Sequence, residues 1–274
     1  MEYLVHGWHW HIEGIIPLIL FYQGYLVGIG PLRRHFGWAE TVESRQVVAF
    51  SAGVLLIFLA LFSPIHELAD SLFSAHMVQH MMLVVLMPPL LLLGTPSWLL
   101  RPCLRLLSAK RLLRWLAHPM RAFILFNLVL IMWHFPIFYN ATLRNVFVHE
   151  IQHVSLMITS VLVWWPILSP MPEIRRLSYP AQMVYLFLLA IVQTPLFAIL
   201  TFSDHLIYSV YSGTQVGNIS AVADQQMGGV IMKLVSAVAF MLAITITFFK
   251  WFGGEERREA QQTGLSNLSQ ARDS

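Results

Sequence analysis

Long apolar runs, separated by short polar segments that carry most of the arginines, set the pattern of this chain. Seven such runs stand near 14–31, 46–63, 72–93, 120–138, 147–168, 181–202 and 228–250. Each approaches the ~20 residues that an α-helix needs to cross the hydrocarbon of a bilayer. The pattern therefore predicts an all-α integral membrane protein, a seven-transmembrane-helix bundle formed by residues 1–252. Between the third and fourth runs, residues 98–116 mix Leu and Trp with Arg and Lys. That mixture predicts an interfacial amphipathic helix, a basic anchor against anionic lipid. Residues 253–274 are polar and read as a disordered tail. No internal repeat is visible.

Composition supports lipid as the solvent. Of 274 residues, 57% are hydrophobic and 11% charged, against roughly 25% charged in a soluble domain. The single cysteine, Cys103, excludes an internal disulfide and a Cys-x-x-Cys motif. Residues 1–13 contain no Lys or Arg, so no cleavable leader with a positive n-region is expected.

Basic residues then orient the bundle. Arg33, Arg34 and Arg45 follow the first run. Arg101, Arg105, Lys110, Arg111, Arg114 and Arg121 follow the third, and Arg175 and Arg176 the fifth. Lys250, Arg257, Arg258 and Arg272 follow the seventh. The opposite side has only Arg144, and Lys233 lies inside the seventh run. The N-terminus is expected outside and the C-terminus in the cytoplasm. The net charge of +3 is thus a topology signal, and no nucleic-acid partner is expected. Trp133 at one interface and Trp164, Trp165 and Trp251 at the other predict aromatic belts.

With this topology, histidine is lopsided. His6, His9, His11, His66, His76, His80, His134, His149, His153 and His205 fall outside or in the outer part of a span. His35 and His118 are cytoplasmic. Two pairs, His76/His80 and His149/His153, have i,i+4 spacing, which puts each pair on one helix face. They sit at comparable depth in spans running the same way, and His134 ends a span running the other way. Packed helices bring such groups within reach of one another. Imidazole is costly to bury in lipid without a partner and is the commonest transition-metal ligand. One or two metal ions between these five residues is the functional reading. Hydrogen bonds from each ring to a neighbouring carbonyl are the structural alternative.

Nearby residues extend the candidate site. Met77, Met81 and Met82 flank the first pair, and Met227 and Met232 open the last span. Thioether with imidazole suits copper better than magnesium or calcium, although Met is also a routine apolar filler. Asp224, in the run Ala223-Asp224-Gln225-Gln226-Met227-Gly228-Gly229, can orient a ligating imidazole or cap its own helix. Gly228-Gly229 allows close helix approach. Lys233, at a cost of ~3 kcal/mol within a span, is expected to snorkel or to pair with an acid. His66, Glu67 and Asp70 are further candidates that read first as a solvated loop. His149-Glu150-Ile151-Gln152-His153 is formally H-E-x-x-H, the pattern of a zinc protease with Glu150 as general base. His76 to His80 repeats its spacing without the Glu.

At these residues the chain resembles a known family. Ser74-Ala75-His76-Met77-Val78-Gln79-His80-Met81-Met82, with Pro88-Pro89-Leu90-Leu91-Leu92-Leu93-Gly94 after it, is similar to the third span of the CtaG-type assembly factors of caa-type cytochrome c oxidase. So are Trp133-His134-Phe135-Pro136, the His149/His153 pair, Trp164-Trp165-Pro166, and the run from Ala223 to Gly229. The likeness covers residues 10–252. A single-span copper protein that shares the CtaG name is not similar to this chain. In the family, apolar residues follow the first His of the fifth-span pair, so Glu150 makes the H-E-x-x-H incidental. The resemblance implies a multi-pass protein of the bacterial inner (plasma) membrane, in contact with membrane lipid and with cytochrome c oxidase subunits. It implies a non-enzymatic assembly factor or metallochaperone for a haem-copper oxidase, acting at a copper-delivery step. The residues add the location of such a site, outward-facing and built on His76, His80, His149, His153 and His134. Haem b held by histidines of the third and fifth spans, and the zinc metalloprotease, are the alternatives.

Overall fold

The computed structural model describes residues 12–104, 107–174, 176–213 and 219–270, which form helices and no strand. His6, His9, His11, Arg105, Arg175 and Arg272 lie outside the described residues. Helix α1 (Ile12–Val27) passes through a π-helical turn at Gly28–Leu32 into Arg33–Phe36. The turn contains Pro31, which lacks an N–H and crowds the carbonyl four residues back, so the ladder widens locally. The helix ends at Gly37, whose φ of 62° is left-handed and costs glycine little.

Helix α2 (Ser44–Phe62) and the short α3 (Pro64–Ser71) lead into α4 (Phe73–Gly94). A second π-helical turn, Met82–Leu86, lies between His80 and Pro88–Pro89. The connecting segment holds two helices, α5 (Ser97–Cys103) and α6 (Leu107–Leu116). Next come α7 (Pro119–His134), α8 (Pro136–Arg144), α9 (Val146–Leu168) and α10 (Tyr179–Phe202). A 3-10 turn at Ser209–Tyr211 precedes α11 (Ala221–Gln270).

Among the described residues, six helices are long and apolar enough to cross a membrane, namely α1, α2, α4, α9, α10 and α11. The bent pair α6–α7, with 71° between its arms, makes a seventh if counted as one span. The chain is thus an all-α multi-pass membrane bundle. α7 stops short of the expected 120–138 because Pro136 follows. Proline pushes the preceding Phe135 into extended backbone, ψ 132°, and chain direction changes there.

The helices are not equivalent. In α4 and α9, 61% of the apolar window is buried, against 17% in α1 and 22% in α11. The two inner helices are the two that carry the paired histidines. Close approach seats them. A Cβ on Gly94 would lie 2.3 Å from the Phe50 backbone nitrogen, and one on Gly228 would lie 2.3 Å from the Phe73 ring. Gly228 thus admits α4, while Gly229, against Thr201, admits α10.

Three expectations change. Trp133, Trp164 and Trp165 are buried in the core, not spread along an interface. The Trp133 indole donates to Ser155 at 2.9 Å, and Trp164 packs on Phe240 at 6.0 Å. Lipid and protein interior are equally apolar, so a tryptophan near a span end can face either. Second, the expected disordered tail is helical as far as Gln270. Glu255, Glu256, Arg257 and Arg258 are good helix formers, and Arg258 pairs with Glu255 at 2.9 Å. Third, Lys233 donates to the Thr194 hydroxyl at 2.8 Å rather than to an acid.

Candidate functional site

Four imidazoles on the two inner helices form one cluster. Spacing of four residues stacks each pair along its own helix, with ring centroids 4.3 Å apart for His76/His80 and 4.3 Å for His149/His153. Across the interface His76 lies 5.5 Å from His149 and 6.4 Å from His153, and His80 lies 5.4 Å from His153. All four rings are buried. Helix starts fix this depth. Asn145 caps α9, its side-chain oxygen accepting from the N–H groups of Phe147 and Val148, which places His149 in the first turn.

The polar atoms of the cluster are conspicuously unsatisfied. Both nitrogens of His76 and of His80, and Nε2 of His134, His149 and His153, are buried without a hydrogen-bond partner. An unmet buried polar group costs about 1–3 kcal/mol, so a ligand or water that met these nitrogens would stabilise the cluster. Donor identity fits a borderline transition metal. Orientation does not yet fit: among the described residues no three His, Cys, Asp or Glu side chains are disposed to hold one metal ion. The His76 and His149 rings lie nearly parallel, at 17°, and their in-plane lone pairs miss a common point. Ring rotation about the side-chain bonds is needed to aim them.

His134 is buried beside the four but makes no ring contact with them among the contacts described. Its Nδ1 faces the Leu130 carbonyl at 2.7 Å. A carbonyl only accepts, so Nδ1 carries the proton and Nε2 keeps its lone pair.

His66 belongs to the cluster rather than to a solvated loop. It sits on α3, half-buried, with its ring stacked 6.2 Å from His149. Gln79 holds it: the amide nitrogen lies 2.9 Å from the Ala60 carbonyl and 3.0 Å from His66 Nδ1. Donation to the carbonyl fixes the amide's orientation, so His66 Nδ1 accepts the other proton and its Nε2 bears the hydrogen.

Other candidates lie elsewhere. Asp224 neither touches an imidazole nor caps its own helix. Its carboxyl oxygens accept from the backbone N–H of Phe73 at 2.6 Å and of Ser74 at 3.2 Å. They satisfy the start of α4, where Leu72 has no side chain able to do so. Asp224 is therefore a positioning residue one turn from His76. Met77 and Met81 turn about 100° from the histidine face into a buried cluster with Phe73 and Met232. Met227 is exposed. Glu150 is exposed although both neighbouring histidines are buried.

Two groups escaped sequence reasoning. Gln79 and Gln152 are fully buried, one residue before the second histidine of each pair, and Gln152 has both polar atoms of its amide unpartnered. The signal was present: both helices read H-x-x-Q-H. The second group is an aromatic layer beside His76. Tyr139 lies 5.3 Å from the His76 ring, 4.0 Å from Tyr208 and 5.6 Å from Phe73. Tyr211 donates to the Ala69 carbonyl, so Tyr139 donates to Tyr211, at 2.9 Å. Tyr208 donates to the His134 carbonyl. Burial, followed by the repulsion that a phenolate on neighbouring Tyr211 would add, holds the Tyr139 phenol well above its ordinary pKa. The layer stays protonated and neutral.

Comparison with known proteins places this arrangement. No solved structure matches the chain. Uncharacterised proteins of Mycobacterium bovis and Mycobacterium tuberculosis are each 25% identical to it over 274 residues, covering 92% of this chain. A third, from Mycobacterium leprae, is 25% identical over 272 residues, covering 90%. The chain spans about 40% of the length of each of these relatives. The model of the cytochrome c oxidase caa3 assembly factors matches residues 23–253, which take in every helix from the body of α1 to the apolar part of α11. With that match over most of its length, the chain belongs to the cytochrome c oxidase caa3 assembly factor family.

Proposed function

We propose that this protein holds copper in its imidazole cluster and passes it to a subunit of a caa3-type oxidase at the outer face of the bacterial plasma membrane. One observation carries the reading: six buried imidazole nitrogens without partners on the two innermost helices, with a seventh on His134 at the end of α7, in a protein from an oxidase-assembly family. His76, His80, His149 and His153 would hold the ion, with Nε2 of His134 as a fifth donor. Imidazole suits Cu and Zn alike; copper is favoured because the assembled enzyme needs it. The arginine distribution supports an outward-facing site. Half-buried His66 stands where an ion would pass between solvent and the buried rings. Its Gln79 bond keeps it out of the resting ligand set. The protein acts as a carrier or scaffold and catalyses no bond change.

Elemental analysis of gently extracted protein, recorded beside its optical spectrum, tests this. About one or two copper ions per chain are expected, with no Soret band. His76→Ala/His80→Ala should lose at least tenfold in copper content and abolish oxidase maturation. Metal-free wild-type protein would remove direct copper handling and leave a scaffolding role. A Soret band would replace it with the haem b reading.

Glu150 separates this reading from zinc-dependent hydrolysis. Glu150→Gln is expected to leave copper content and oxidase maturation within twofold of wild type, because the side chain is exposed. Abolished maturation with intact metal content would favour the hydrolase.

A further inference from the structure

A second polar site lies at the opposite end of the inner helices, on the arginine-rich side. The ends of α4 and α9, the start of α2 and the loop after α9 enclose a cleft of about 170 Å³. Its lining is divided by chemistry. Gln46, Thr95, Ser97 and Arg176 supply the polar part, and Leu93 and Leu168 belong to the apolar part. Leu93 is 51% exposed at the end of an apolar span, so the apolar side of the cleft opens where lipid chains run.

The charge on its wall is uncommitted. Arg45 pairs with Glu43, and Arg101 pairs with Glu173 at 3.4 Å. Arg176 has no carboxylate partner among the described residues. Its Nε donates to the Ser169 carbonyl at 2.9 Å, which pins the guanidinium to the loop and leaves the two terminal nitrogens for another acceptor. A planar guanidinium favours phosphate oxygens, and basic pockets between helix ends bind anionic headgroups.

We infer that this cleft binds one anionic phospholipid, with its phosphate on Arg176 and an acyl chain along Leu93. The divided lining favours a lipid over a free phosphate, which has no use for the apolar wall. Bound there, the lipid ties α2, α4 and α9 together at the end remote from the histidines.

The test uses full-length protein in detergent, equilibrated with mixed phosphatidylglycerol and phosphatidylcholine and read by native mass spectrometry. Wild type should retain phosphatidylglycerol in preference. Arg176→Gln should cut that preference about fivefold, the effect of one cation near an anionic lipid surface. Arg176→Lys should restore most of it. Glycerol 3-phosphate at millimolar concentration should not displace the lipid. Equal retention of both lipids by wild type, or an unchanged preference in Arg176→Gln, overturns the proposal. Displacement by glycerol 3-phosphate shows a site for free anions instead. If Arg176→Lys retains no more phosphatidylglycerol than Arg176→Gln, positive charge at this position does not select the anionic lipid, and the proposal is overturned.

Discussion

Asp224→Ala is expected to destabilise the bundle by about 4 kcal/mol and to take the copper capacity with it. The substitution strands two buried backbone donors, the N–H groups of Phe73 and Ser74, at about 1–3 kcal/mol each. It also removes an acidic group from a helix N-terminus, adding up to ~2 kcal/mol in a partly buried setting. No neighbour stands ready to replace it, since Leu72 precedes the helix. The first turn of α4 should fray, and His76, whose N–H bonds to the Leu72 carbonyl, lies in the turn that follows. Asp224→Asn should cost about half as much: one carbonyl oxygen survives, but its NH2 then faces a backbone donor. Equilibrium unfolding in mixed micelles gives the stability, and elemental analysis the metal. An Asp224→Ala protein with a wild-type midpoint would show that the carboxyl does not hold α4 in place.

Gly94→Ala should destabilise by about 3 kcal/mol, near the top of the usual range for overpacking, and act on the other end of the same helix. The new methyl would lie 2.3 Å from the backbone nitrogen of Phe50 and 2.6 Å from its Cα. Backbone cannot swing aside as a side chain can, so α2 and α4 must separate. That movement also strains the bond from the Tyr25 hydroxyl to the Gly94 carbonyl at 2.9 Å and the stacking of Tyr25 on Phe50 at 3.7 Å. Gly24→Ala is the matched control. A Cβ there meets nothing within 4 Å, and alanine favours the helix by about 0.5–1 kcal/mol. The two substitutions should therefore shift the thermal midpoint in opposite directions. A shared sign would mean that the α2–α4 contact yields to an added methyl.

How much of this could be read beforehand varies by residue. The i,i+4 spacing places His76 with His80 and His149 with His153 whatever surrounds them, because a helix brings those positions to one face. Gly228 and Gly229 were readable as points of close approach, though not that they admit different helices. Gln79 and Gln152 are legible as a repeated H-x-x-Q-H on both helices, but only the packing shows that each amide is buried. Asp224 was ambiguous for a deeper reason. An acid at the start of one helix suggests a cap for that helix, and only the packing of α11 on α4 shows that it serves its neighbour. The sequence around His66 suggests a solvated residue, because nothing local to it reveals Gln79.

Hydropathy alone establishes that the chain is helical and lives in lipid, since a long apolar segment cannot leave its backbone groups unbonded in hydrocarbon. Helical periodicity establishes which histidines share a face. The tertiary structure decides which helices stand at the centre, that Trp133, Trp164 and Trp165 point inward, and that the carboxyl of Asp224 reaches α4. Those are matters of rotation about each helix axis. Lipid tails and protein interior are equally apolar, so the pattern of apolar residues carries little information about which side of a membrane helix meets its neighbours.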